Sequence, residues 1–162
     1  MGSGRSGLYS GTHGSNAVPG SAYYMDPSDN FSKFIKNRKD IDANGFYDVI
    51  AHGTAKTIQI QHNGKPVEIT HRTAARLFSK DPNFNGKSIR LLSCDTGGML
   101  HGFAQGLADK LKVVVEAPTK LVWARPDGSY FVAGRKKSNP NLPDMNNRGR
   151  FIKFYPGGAK NE

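Results

Sequence analysis

The sequence predicts a small three-layer α/β domain with a central, mostly parallel sheet that is extended by hairpins. Three apolar runs, which end at Ala51, Leu92 and Val115, are separated by segments of helical periodicity. Strands that alternate with helices in this way are typical of parallel sheets with right-handed crossovers. The dipeptide Asn63-Gly64 and the turn Pro126-Asp127-Gly128 each predict a surface hairpin.

The composition is typical of a single soluble domain that attracts anions. Its 162 residues suffice for about one domain, and 23 Lys and Arg against 13 Asp and Glu give a formal net charge of +10. This charge indicates affinity for nucleic acid, inositol phosphates or an acidic membrane surface. A single cysteine allows no internal disulfide, and no apolar run reaches the roughly 18 residues that a membrane span needs.

The amino end differs from the rest of the chain. Residues 1–25 are rich in Gly and Ser and include no acidic residue, which predicts a flexible leader followed by one domain at 26–162. Ser28 or Asp29 is expected to cap a short helix. The apolar face of this helix would consist of Phe31, Phe34 and Ile35. We expect the helix to lie over one edge of the core.

The first predicted core strand lies in the segment Gly45–Gly53 and ends on a histidine. An imidazole at that point lies at a sheet edge, and Gly53 lets a ligand or another backbone approach closely. A histidine bound to a loop carbonyl is the alternative for His52. After the hairpin, Thr70 predicts the start of a helix that runs to about Ser79.

The segment Ser88–Gly98 carries the only cysteine. Apolar residues from Ile89 predict a buried strand before Cys94, and an amphipathic helix is expected over Met99–Lys112. Cys94 would then lie beside a helix amino end, where the helix dipole lowers the pKa of a thiol. A lone cysteine is also among the most buried residue types, so inert packing has about even weight.

The carboxyl-terminal part is basic and rich in turns. From Ala117 onward, nine basic residues outnumber three acidic ones. The pattern predicts a hairpin over Leu121–Ala133 that carries Trp123, a long polar loop over Gly134–Gly149 and a last edge strand over Arg150–Tyr155. Arg135, Lys136 and Lys137 share that loop without acidic neighbours, which predicts a polyanion site, although a merely solvated loop is equally compatible with the pattern.

Two residues with catalytic chemistry follow successive predicted strands. If those strands are parallel neighbours, His52 and Cys94 reach the same sheet edge. An imidazole beside a thiol acts as a general base or pairs with a thiolate, and the N–H after the histidine is open to an oxyanion. The two residues together therefore indicate thiol catalysis more specifically than either residue alone.

The segments VIAHG and IRLLSCDTG resemble the caspase-like cysteine peptidase superfamily, in its caspase-HetF-associated and RTX-toxin self-processing types. The resemblance covers roughly residues 45–115. It implies a caspase-like fold, His52 as the base and Cys94 as the nucleophile, with the Gly53 and Cys94 N–H groups as the oxyanion hole. Ser93 and Asp95, on either side of the thiol, would be supporting residues. An inositol phosphate is the activator that the RTX-toxin type implies.

The overall layout also resembles carboxyl-terminal effector modules of bacterial polymorphic toxins. That resemblance implies secretion as part of a larger toxin, action on a protein or peptide in the target-cell cytoplasm and a cognate immunity protein. Two alternatives remain: a basic nuclease in which His52 or His71 acts on RNA, and a caspase-like binding module without activity. The sequence has none of the zinc motifs of deaminases or metallopeptidases, so no metal site and no required cofactor are expected.

Overall fold

A computed structural model describes residues 21–25, 28–41 and 45–158. The chain forms a mixed α/β fold. Its elements in chain order are β1 (Ser21–Tyr23), α1 (Asn30–Ile35), β2 (Tyr47–Ile50), β3 (Thr57–His62), β4 (Lys65–Thr70), α2 (His71–Ser79), β5 (Ile89–Leu92), α3 (Phe103–Leu111), β6 (Val115–Pro118), β7 (Leu121–Ala124), β8 (Tyr130–Arg135), β9 (Pro143–Arg148) and β10 (Phe151–Phe154), with a 3₁₀ turn at Pro156–Gly158.

A five-stranded sheet forms the centre of the fold, in the order β1-β2-β5-β6-β10. The first four strands are parallel, and β10 pairs antiparallel with β6. The middle pair is in register, since Tyr47 lies opposite Ile89 and Ile50 lies opposite Leu92. All eight residues of β2 and β5 are buried, as expected for parallel strands covered on both faces. The mostly parallel sheet predicted from the sequence is confirmed.

The two faces of this sheet bury different apolar clusters. Val49 and Leu91 point to the face that packs against α2, α3 and the hairpin β3–β4. Ile50 and Leu92 point to the opposite face, where they join Ile35 of α1 and contact Tyr130 of β8. The second face is therefore covered by α1 and the β7–β8–β9 sheet.

Most predicted elements lie where the sequence placed them. The hairpin β3–β4 turns at Asn63 and Gly64, both of which have positive φ angles, as a two-residue type I′ turn requires. Helix α2 begins after Thr70 and ends at Ser79, and Asp29 caps α1 by accepting a hydrogen bond from the Phe31 N–H. The last strand, β10, lies at the sheet edge.

The structure contains two strands, β1 and β9, that the sequence did not predict. The predicted leader of residues 1–25 is too long, because Ser21–Tyr23 pair with β2 and the side chains from Ala22 to Met25 are buried. Residues 1–20 lie outside the described part of the chain. The predicted loop Gly134–Gly149 is partly wrong, because Pro143–Arg148 form β9 beside β8. Both strands were missed because they lack apolar alternation.

No helix among the described residues is long and apolar enough to cross a membrane.

Candidate active site

His52 and Cys94 occupy matching places after the two central strands. Each lies two residues beyond a register pair, since Ile50 pairs with Leu92 in the parallel ladder. Both residues line one cavity of about 550 Å³ on the face that α1 covers. The shared register places both residues at the same edge of the sheet. Within the described residues the thiol contacts Val122, and no hydrogen bond joins it to His52.

The cavity combines apolar walls with a few polar groups. Its apolar lining includes Met25, Phe31, Phe34, Leu92 and Trp123. Asp29, Arg135 and Asn141 supply polar groups around His52 and Cys94. Ligand sites in proteins commonly have this composition, in which apolar walls give contact area and a few polar groups fix orientation.

Asp29 orients the imidazole of His52. Its Oδ2 lies 3.2 Å from Nε2 of the ring, while its Oδ1 accepts the capping hydrogen bond from Phe31 at 2.8 Å. One carboxylate therefore contacts both the start of α1 and the half-exposed ring of His52. The sequence identified Asp29 only as a helix cap, because nothing in its spacing indicated contact with a residue that follows a different element.

The thiol of Cys94 lies against the free edge of β7. The backbone N–H of Val122 donates to Sγ at 3.4 Å, and Sγ lies 4.0 Å from the carbonyl oxygen of the same residue. Burial raises the pKa of the Cys94 thiol, and the charge of Asp95 adds to this, whereas the Val122 hydrogen bond and Arg135 oppose it. The expectation of a lowered thiol pKa is therefore wrong.

The helix after Cys94 begins later than predicted, which explains that error. Helix α3 starts at Phe103 with Gly102 as its cap, and the Phe103 and Ala104 N–H groups donate to the Ala55 and Thr96 carbonyls rather than to the thiol. Asp95 has a positive φ of 62°, and turns occupy most of the chain up to Gly102. The helix dipole acts within about one turn, so it does not stabilise a thiolate at Cys94.

Of the two residues whose amides were predicted to form the oxyanion hole, Cys94 lines the cavity and Gly53 does not. Within the described residues, neither the Gly53 nor the Cys94 N–H donates to a backbone carbonyl. Gly53 also has no room for a side chain, since a Cβ there would lie 2.7 Å from Cγ2 of Thr96 and 2.9 Å from the Cys94 carbonyl oxygen. The glycine thus lets the two strand ends approach closely.

The supporting residues Ser93 and Asp95 have different environments. Ser93 is 1% exposed, and its hydroxyl has no hydrogen-bond partner among the described residues. Burial raises the pKa of the Asp95 carboxyl, which the charges of Arg135 and Lys120 partly offset. Neither residue lines the cavity of His52 and Cys94.

The three consecutive cations that were predicted to form a polyanion site have different environments in the structure. Arg135 lines the cavity and donates a hydrogen bond to the Pro140 carbonyl at 2.8 Å. Lys136 and Lys137 are exposed and lie outside the cavity lining.

The remaining candidates do not join this site. His71, proposed for a nuclease, lies on α2 beside Gly106 of α3 and does not line the cavity. No group of three or more His, Cys, Asp or Glu residues within the described ranges has the geometry of a metal site.

The chain matches a model of a family described as a domain of unknown function (DUF8616) over residues 20–132. The match begins immediately before β1 and ends within β8. No curated protein and no solved structure matches the chain.

Proposed function

Because that match covers more than half of the 162 residues, the chain belongs to the DUF8616 family, and we propose that it is a cysteine-dependent hydrolase. The observation that carries the proposal is the position of His52 and Cys94 at equivalent places beyond paired strands, on one cavity. A nucleophile, a base and a residue that orients the base are the usual components of covalent hydrolysis.

The raised pKa of the thiol determines how such a reaction would begin. A neutral thiol must lose its proton as it attacks, so the proposal gives His52 the role of general base rather than imidazolium partner. Asp29 faces Nε2, which leaves Nδ1 as the ring atom that accepts the proton from Sγ. Asp29 is a positioning residue, because it acts through the ring.

The reaction that we propose is acyl transfer to Cys94 followed by hydrolysis. Sγ bonds to the substrate carbonyl carbon, and the resulting oxyanion accepts hydrogen bonds from the Gly53 and Cys94 amides. Collapse of this intermediate breaks the carbon–nitrogen bond of the substrate amide, and the leaving amine takes the proton from His52. Water then attacks the thioester and gives its proton to His52. The bond between carbon and Sγ breaks, the acid is released, and His52 returns the proton to Sγ.

A protein or peptide is the substrate class that we propose, as in the caspase-like superfamily. Delivery as the end of a secreted toxin, action in a target cell, inhibition by an immunity protein and activation by an inositol phosphate belong to the same proposal. They rest on resemblance in sequence alone.

Hydrolysis of a fluorogenic peptide pool tests the proposed chemistry. We expect turnover by the unmodified protein, and its loss in Cys94→Ala and His52→Ala. His62→Ala is the matched control, because His62 lies at the tip of the hairpin β3–β4 and outside the cavity. Turnover that survives Cys94→Ala would contradict the proposal.

A further inference from the structure

The three-stranded sheet β7–β8–β9 has an aromatic outer face. Trp123 of β7 lies directly opposite Phe131 of β8 in the antiparallel register. Their neighbours Val122 and Val132 are buried and point to the other face, toward the core. The two rings are half-buried, so one side of this small sheet presents neighbouring aromatic surfaces to solvent.

Arginine side chains flank these rings. The guanidinium carbons of Arg125 and Arg148 lie 4.4 and 5.6 Å from the centre of the Phe131 ring, and that of Arg135 lies 6.0 Å from the Trp123 ring. All three arginines are exposed. A planar cation over an aromatic ring gains electrostatic attraction and keeps donors free for an anion.

The charge of this segment is strongly positive. Between Lys120 and Arg150 there are seven basic residues and two acidic ones, Asp127 and Asp144. Within the described part of the chain, none of the seven forms an ion pair with a carboxylate. An anionic partner would relieve the resulting repulsion.

We propose that this outer face, formed by Trp123, Phe131, Arg125, Arg135 and Arg148, binds single-stranded nucleic acid. Unpaired bases stack on Trp123 and replace the guanidinium groups of Arg125 and Arg148 over the Phe131 ring. The displaced arginines then contact phosphates. Aromatic surfaces favour nucleic acid over an acidic protein segment, because carboxylates gain nothing from stacking. A single strand is required, since the bases of a duplex are stacked on each other.

The outer face is continuous with the candidate active site but chemically independent of it. Trp123 and Arg135 belong to the outer face and also line the cavity of His52 and Cys94. A bound strand would therefore end at the cavity mouth. Arg135 and Arg148 lie beyond the part of the chain that matches the family, so the outer face includes residues outside the matched segment.

Intrinsic fluorescence tests this proposal directly, because Trp123 is the only tryptophan in the chain. The probes are single-stranded RNA and DNA of mixed sequence and about 12 nucleotides, within the usual range for such sites. Polyglutamate and inorganic polyphosphate are the anionic controls without bases. We expect both nucleic acids to quench Trp123, and Cys94→Ala to bind them equally well.

Charge variants locate the site. The double variant Arg125→Gln/Arg148→Gln should lower the slope of log affinity against log salt by about 1.4, which corresponds to two phosphate contacts on a single strand. Phe131→Leu should weaken binding by about fivefold or more through lost stacking. Lys65→Gln, an exposed change at the start of β4, should leave binding unaltered.

Three outcomes would overturn the proposal. The first is no binding of either nucleic acid at 50 mM salt, about the low-salt end at which phosphate contacts are strongest. The second is equally tight binding of polyglutamate, which would point to an acidic protein partner. The third is an equal loss in Lys65→Gln, which would mean attraction to net charge alone.

Discussion

Oδ2 of Asp29 lies 3.2 Å from Nε2 of His52, so the residue that caps α1 also holds the ring of the proposed base. This contact ties the start of a helix to the end of strand β2. It gives the carboxylate two separable roles, because Asn caps a helix about as well as Asp but carries no charge.

The first prediction separates these roles. Asp29→Asn should lower the rate of hydrolysis by about tenfold or more through loss of the charge that orients His52, and should leave stability unchanged. Asp29→Ala should lose the same activity and about 1 kcal/mol of the free energy of unfolding. Peptide hydrolysis and urea unfolding of both variants measure the two effects. Full activity in Asp29→Asn would remove the positioning role.

The second prediction concerns the pH dependence of Cys94. Because burial raises the pKa of the thiol, its iodoacetamide reaction should be slow at neutral pH and should accelerate only above the range of an ordinary thiol. Alkylation rates between about pH 6 and 11, compared with free cysteine, measure this. A rate plateau below pH 7 would instead indicate a preformed thiolate.

The third prediction tests the close approach of the two strand ends. Gly53→Ala should destabilise the protein by about 1–3 kcal/mol, since the new Cβ would lie 2.7 Å from Cγ2 of Thr96. Thr96→Ser removes that methyl group but keeps the hydroxyl that donates to the Ser93 carbonyl. The double variant should therefore recover part of the loss in urea unfolding. Equal stability of Gly53→Ala and the unmodified protein would contradict the steric account.

The fourth prediction concerns the buried ion pairs that Asp48 forms with Arg38 and Arg90. Asp48 of β2 is fully buried and accepts hydrogen bonds from Arg38 and Arg90, with ion-pair distances of 2.8 and 2.7 Å. Asp48→Asn removes the carboxylate that the two buried arginines share and should cost about 3–5 kcal/mol. Asp40→Asn should cost less in urea unfolding, because the Asp40 side chain is 39% exposed. An equal loss of unfolding free energy in the two variants would mean that burial of the carboxylate does not determine its contribution to stability.

The sequence was sufficient to predict the elements that have a strong local pattern. Nearly continuous apolar runs predicted β2 and β5, and the dipeptide Asn63-Gly64 predicted the hairpin. Since parallel neighbours end at one edge, the placement of His52 and Cys94 on the same cavity followed from the order of strands.

The errors have a common origin in tertiary contacts. β1 has only three residues and is held by pairing with β2, while β9 begins with a proline and is largely exposed. The contact between Asp29 and His52 depends on how α1 packs over the sheet. The pKa of Cys94 depends on burial beneath β7, which the single-sequence pattern does not encode.

The central claim is that His52 activates Cys94, and covalent labelling tests it most directly. A pool of peptidyl acyloxymethyl ketones, which react with the activated cysteine of a peptide-binding site, is incubated with the protein, and the modified residue is located by mass spectrometry. We predict labelling of Cys94 in the unmodified protein and in His62→Ala, with a loss of about a hundredfold in rate in His52→Ala. Labelling at an equal rate in His52→Ala, or none in the unmodified protein, would contradict the account.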